Sequence, residues 1–123
     1  MKKILWIEDD DLMGSVLGAK LTASGFELVQ TRSGEEAMAY LAAGAVPDLI
    51  VVDLLLPGMS GFDILAAIAK DQRLSAVPKL VLSNLNQPAD WEKVRPYGVK
   101  KFLVKTSVSL EQIVGEISAL CAA

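Results

Sequence analysis

Asp53 follows four apolar residues, Leu49 to Val52, and precedes Leu54, Leu55 and Leu56, so a carboxylate interrupts a run that otherwise belongs to a core. An ionised carboxylate in such a place needs compensation. Candidates stand at the ends of the other apolar runs: Glu8, Asp9, Asp10 and Asp11 after Ile4 to Ile7, Ser83 and Asn84 after Leu80 to Leu82, and Lys105 after Phe102 to Val104. Gathered on one edge, the carboxylates would repel one another. A hard divalent cation with oxygen ligands relieves that repulsion, and Mg²⁺ is the usual choice where phosphate is also handled. The set suits phosphoryl transfer, with Asp53 as the nucleophile, an acidic pair for the metal, Lys105 to absorb charge and Ser83 to donate a hydrogen bond to a phosphoryl oxygen. An ionised carboxylate requires no general base. The absence of histidine, which removes the commonest base, the Ser-His triads and most zinc sites, is therefore no obstacle. Taken singly, each residue also has an ordinary role: acids near a helix start favour the helix dipole, Ser83 suits a turn, and Lys105 suits a solvated charge.

Positioning these groups requires an alternation of strands and helices. Ile4–Ile7, Glu27–Thr31, Leu49–Val52, Leu80–Leu82 and Phe102–Val104 are strand-length runs, several of them rich in Ile and Val. Helical period joins Leu12, Val16, Ala19 and Ala23 on one face, and Leu110, Ile113, Val114, Ile117 and Leu120 on another, and both faces are expected to pack on the sheet. Ser33 with Glu36, Ser60 with Asp63, and Asn86 or Gln87 before Pro88 mark helix starts, while Gly25 and Gly44 mark stops. Pro96, with Gly98 behind it, ends a short fourth helix near Arg95. Strands alternating with helices imply right-handed crossovers and a mainly parallel sheet, a three-layer α/β/α sandwich. In such sheets ligands sit at the carboxyl ends of the strands, where the polar residues above fall.

Composition narrows the function. At 123 residues, 52% hydrophobic and 22% charged, the chain fits one globular domain spanning 1–123. Its apolar runs are too short to cross a bilayer, so no membrane insertion is expected. The lone Cys121 cannot form an internal disulfide, agrees with a cytoplasmic location, and suits packing better than chemistry. A net charge of −3, with no basic cluster longer than Lys100-Lys101, argues against direct nucleic-acid binding.

Five segments carry a resemblance to the receiver domain of two-component response regulators over nearly the whole chain: Ile4 to Asp9, Pro47 to Asp53, Pro57 to Gly61, Leu80 to Ser83 and Phe102 to Lys105. The resemblance implies a flavodoxin-like sheet of order 2-1-3-4-5. It implies that Asp53 is the phosphoacceptor, that Glu8, Asp9, Asp53 and the Leu55 carbonyl bind Mg²⁺ or Mn²⁺, and that Lys105 pairs with the phosphate. By the same resemblance Ser83 is the switch hydroxyl and Phe102 the aromatic residue that changes rotamer. The partners implied are a sensor histidine kinase or phosphotransfer protein and a downstream protein target. Signalling would pass through the face of the fourth helix, fifth strand and fifth helix, through which two copies could also pair. Catalysis would extend at most to the protein's own phosphorylation and dephosphorylation. Because the sequence stops at its fifth helix, the expectation is either a regulator acting by binding or a receiver portion of a larger protein.

Several residues depart from the family pattern. Thr106 follows Lys105 where the family usually has a cis proline; a cis Lys-Thr bond would cost about 2.5–4 kcal/mol, so the expectation is a trans bond with a shifted loop or a strained cis bond. Asn84 replaces a very small residue beside Ser83, which predicts a tighter or differently set phosphate loop. Leu55 and Leu85 flank the phosphoryl position, and neither can orient an attacking water. Trp91 is either an exposed partner anchor or a core residue. Competing readings are a receiver-like binding module that is never phosphorylated, a flavodoxin-type cofactor binder and an aspartate-nucleophile phosphatase. Against the last two, there is no phosphate loop after the first strand, and Leu55 stands where the phosphatase needs a second acid.

Overall fold

Residues 1–122 are described by a computed structural model. In chain order the elements are β1 (Lys3–Ile7), α1 (Asp11–Ala23), β2 (Glu27–Thr31), α2 (Gly34–Ala42), β3 (Leu49–Val52), α3 (Gly61–Ala69), β4 (Lys79–Ser83), α4 (Pro88–Val94), β5 (Val99–Val104) and α5 (Leu110–Ala122). Short 3-10 turns at Arg95–Tyr97 and Lys105–Ser107 flank β5. All strand pairs are parallel, in the order β2-β1-β3-β4-β5. This is the expected flavodoxin-like sandwich. Strand β3 is central, and every residue of its Leu-Ile-Val-Val run is buried because helices cover both faces.

Alternate strand residues feed two cores. Leu5, Ile7, Ile50, Val52 and Val81 pack with Ala37 and Leu41 of α2, Ile64, Leu65 and Ile68 of α3, and Val94 of α4. Ile4, Trp6, Leu49, Val51, Leu80, Leu82 and Leu103 meet Leu17 and Leu21 of α1 and Ile113, Ile117 and Cys121 of α5. Cys121 is accordingly a buried packing residue with a free thiol, whose pKa burial pushes up.

The caps follow the expected chemistry. The Ser33 hydroxyl accepts from the Glu36 amide, Ser60 and Asp63 cap each other reciprocally, and the Asp90 carboxylate accepts from the Gln87 amide at 3.1 Å ahead of Pro88. Gly25 and Gly44 end α1 and α2 with φ of 89° and 109°, the left-handed region glycine favours. Helix α4 stops at Val94, and Pro96 falls in the 3-10 turn beyond it.

One face is placed differently from the sequence expectation. Leu12, Val16, Ala19 and Ala23 of α1 point to solvent, with Leu12 75% and Val16 40% exposed, and the buried residues are Gly14, Leu17 and Leu21. The reason is steric. A side chain at Gly14 would run into the Gln30 amide, and one at Gly18 would come within 2.9 Å of a Leu28 methyl, so the two glycines let α1 lie close to β2. That close approach sets the helix phase against the larger apolar residues.

Candidate functional site

Strands β1 and β3 end side by side, and their last residues hand the chain to Glu8 and Asp53. The Glu8 amide donates to the Thr31 carbonyl at 2.9 Å and the Asp53 amide to the Ile7 carbonyl at 3.2 Å, so ladder hydrogen bonds continue into both acids. Glu8 and Asp53 are consequently buried, whereas Asp9 is exposed. Carboxylate oxygens of Glu8, Asp9 and Asp53 lie within 4.8 Å of one another. Lys105, at the carboxyl end of β5, places its ammonium 2.9 and 2.8 Å from the Glu8 oxygens and 2.8 Å from Asp53 Oδ2. The other Asp53 oxygen accepts from the Leu55 amide at 3.0 Å. Both oxygens of Asp53 are therefore held.

The four consecutive acids divide their work. The Asp10 carboxylate accepts from the Leu12 and Met13 amides at 3.0 and 3.2 Å and caps α1, and Asp11 pairs with Arg32 at 2.9 Å, so neither joins the cluster. Gln30 had no role assigned from sequence. Its amide donates to the Glu8 carbonyl at 3.1 Å and braces the acidic turn from β2. Nothing in the sequence singled it out, since Glu27 and Thr31 of the same strand are polar too.

Burial pushes the Glu8 carboxyl from 4.5 up to about 7; the Lys105 contacts oppose that rise and Asp53 adds to it. For Lys105, burial works against the charged form, but the hydrogen bonds to Asp53 and Glu8 outweigh it and the pKa rises. The lysine thus stays an ammonium at neutral pH, where Glu8 stands close to its midpoint. The three carboxylates supply only hard oxygen donors and surround more negative charge than one lysine neutralises, a donor set that fits Mg²⁺ or Mn²⁺.

The remaining predicted residues lie on β4, β5 and α4 and in the segments that follow β3 and β4. Ser83 is wholly buried at the end of β4, its hydroxyl in a long 3.5 Å contact with the Leu85 amide. Asn84 beside it is exposed, as is Leu55 at 53%. Phe102 is half-buried on β5, with Trp91 of α4 edge-on at 6.3 Å between ring centroids; Trp91 is itself half-buried, between the two roles expected for it. No cis peptide occurs among the described residues, so the Lys105-Thr106 bond is trans. The chain turns directly into the Lys105–Ser107 3-10 turn while the ammonium still reaches Asp53.

An acidic cluster with a bridging lysine at the carboxyl ends of β1, β3 and β5 is the arrangement the sequence resemblance implies, and comparison with known proteins decides the family: a model described as the response regulator receiver domain matches residues 4–118. The chain belongs to the response regulator receiver family. It is 32% identical over 104 residues to the polar-differentiation response regulator DivK of Brucella ovis, covering 85% of this chain and 84% of that protein. Among solved structures it is similar to the phosphorylated cyanobacterial phytochrome response regulator RcpA, with 32% identity, a TM-score of 0.82, and 97% and 90% of the two chains covered. It is similar as well to the Mn²⁺-bound form of response regulator Rcp1, with 28% identity, a TM-score of 0.82, and 98% and 91% covered. Membership implies phosphorylation-dependent signalling in a two-component system, and receiver domains bind Mg²⁺ or Mn²⁺ at an acidic pocket. No helix of this receiver domain is long and apolar enough to cross a membrane among the described residues.

Proposed function

We propose that this receiver domain is a phosphorylation switch in which Asp53 accepts the phosphoryl group of a sensor histidine kinase or phosphotransfer protein. The observation that carries the reading is the Lys105 ammonium shared by Asp53 and Glu8 at the buried end of the sheet, with Asp9 beside them. Asp53 attacks phosphorus as its bond to the donor breaks, and its carboxylate becomes an acyl phosphate. Lys105 follows the charge onto the phosphoryl oxygens, and Ser83, at the end of the neighbouring strand, supplies the hydroxyl that hydrogen-bonds one of them. Glu8, Asp9, Asp53 and the Leu55 carbonyl would hold Mg²⁺ or Mn²⁺, which when bound neutralises phosphoryl charge. The Mn²⁺-bound Rcp1 and the phosphorylated RcpA support both halves of this assignment. Incubation with acetyl phosphate and Mg²⁺ is expected to add one phosphate by intact mass, lost in Asp53→Ala. No gain in wild type would leave the chain a receiver-like binding module.

The output follows the α4-β5-α5 face, where Phe102 and Trp91 meet at the α4–β5 boundary. A change at Ser83 would be passed to Phe102 on the adjacent strand and from there to α4 and its partners. The same face would join two copies if the protein pairs.

The two leucines beside the site govern how long the phosphate lasts. Hydrolysis needs a water held in line with the acyl phosphate, and Leu55 and Leu85 offer no polar side-chain atom to hold one. A long-lived aspartyl phosphate is expected, and Leu85→Glu or Leu55→Asn should shorten it. Decay is followed by intact mass after removal of acetyl phosphate; variants that lose phosphate no faster than wild type would count against the role of the leucines.

A further inference from the structure

Between α4 and β5 lies a cavity of about 390 Å³ lined by apolar Pro88, Trp91, Phe102 and Val104 and by the uncharged amides of Asn86 and Gln87, with Lys100 and Lys101 as its charged lining. No acidic side chain lines it. The acids of α4 are engaged elsewhere, Asp90 in capping the helix and Glu92 with Arg95 at 3.1 Å. The lysines are placed there by a break in the strand register. Lys79 pairs with Val99 and Leu80 with Lys101, so Lys100 is an extra residue bulged out of the ladder. Lys101 is held loosely by Glu116 at 3.7 Å, and Lys100 has no carboxylate within 4.0 Å among the described residues. An acidic chain of net charge −3 thus carries an aromatic hollow whose only charged lining is basic.

We infer that the partner read by this face presents an acidic segment carrying one apolar anchor, the anchor seated against Trp91 and Phe102 and its flanking carboxylates on Lys100 and Lys101. This rests on the α4-β5-α5 face being the output surface, and it adds the chemistry of what docks there. Size and charge favour that occupant. The hollow is large enough for one or two side chains, aromatic pockets are where interface energy concentrates, and a rim of one unpaired lysine and one loosely paired lysine attracts and orients carboxylates.

The test is selection of 12-residue peptides from a random displayed library on the immobilised protein, with and without acetyl phosphate and Mg²⁺. The enriched sequences are expected to be net negative with a central Trp, Phe, Leu or Ile. Their synthetic forms should bind a Lys100→Glu/Lys101→Glu variant about tenfold or more weakly, because charge reversal turns attraction into repulsion. Lys93→Glu, on α4 but outside the lining, should change binding little. Neutral or basic enriched sequences, no enrichment, or peptides indifferent to the double reversal would overturn the inference. If the lysines serve only to guard the edge of β5 against strand pairing, the double variant self-associates and the peptides ignore it, which also overturns it. The two readings separate cleanly. Acidic peptides that bind equally with and without phosphorylation uphold the groove chemistry and sink the switch, whereas phosphate-dependent binding of peptides insensitive to the lysines does the reverse.

Discussion

Replacing Lys105 by alanine is expected to lower the stability of the metal-free protein by about 3–5 kcal/mol near neutral pH, the usual consequence of leaving a buried charge without its partner. The side chain is only 13% exposed, and its ammonium lies at 2.8 Å from both the buried Glu8 and the buried Asp53, so its removal leaves two carboxylates facing each other. The loss should depend on pH in a definite direction. Glu8 titrates in the fold at about 7 rather than 4.5, so its contribution to stability is fully present below pH 4.5 and is lost as pH rises through about 7. Lys105 is raised from 10.5, so its contribution is complete below that value and disappears only above its folded pKa. From about pH 5 to about pH 8 the lysine is therefore charged throughout, while Glu8 passes from protonated to ionised. A protonated Glu8 has little need of the lysine and an ionised one does, so the deficit of Lys105→Ala should widen across that window. Excess Mg²⁺ should return part of it. Urea unfolding at both pH values, with chelator and with Mg²⁺, makes the comparison. A variant as stable as wild type at pH 8 would mean that water compensates the two carboxylates without Lys105.

The expected strands at Ile4–Ile7, Leu49–Val52 and Leu80–Leu82 fall inside the observed ones because each is an unbroken apolar run, whereas β5 begins three residues earlier than expected, at Val99, where Lys100 and Lys101 hid its start. The site was legible for the same reason. Asp53 stands out only because everything before and after it is apolar, and Lys105 because it ends the last such run. Among Glu8, Asp9, Asp10 and Asp11 spacing alone could not choose, since four adjacent acids all suit the start of a helix; the direction in which β1 ends turns Glu8 inward and leaves Asp10 to cap. Periodicity gives helix α1 the wrong phase because it counts side chains, and the residues that let the helix approach β2 are Gly14 and Gly18, which have none. Lys79 was equally invisible. It is wholly buried at the start of β4, its ammonium donating to the Leu74 and Ser75 carbonyls at 3.0 and 3.1 Å, and burial lowers its pKa. A lysine opening a strand otherwise suggests a solvated charge.

Gly61→Ala should damage the site from a residue that never touches a ligand. A β-carbon there would meet the Asp53 carbonyl oxygen and stand 2.6 Å from Leu54 Cα and 3.0 Å from the Asp53 carbonyl carbon, all main-chain atoms that no rotamer change can move. The Gly61 amide also donates to the Leu54 carbonyl at 3.2 Å, and the reciprocal Ser60–Asp63 cap fixes the first turn of α3 against the same segment. To admit the methyl group, helix and loop must separate, and the loop is the stretch whose Leu55 amide orients Asp53. A stability loss of about 1–3 kcal/mol is expected, with weaker Mg²⁺ binding alongside it. Two other glycines calibrate the result. At Gly14 the added atom meets only the end of the Gln30 side chain, which can swing aside, so Gly14→Ala should cost less. At Gly115, within α5, nothing lies within 4 Å, and alanine should stabilise the helix by roughly 0.5–1 kcal/mol. Unfolding midpoints and Mg²⁺ titrations on the three variants distinguish a backbone clash at the Asp53 loop from a general intolerance of side chains. If Gly61→Ala kept both stability and metal affinity, α3 would not be what holds Asp53 in place.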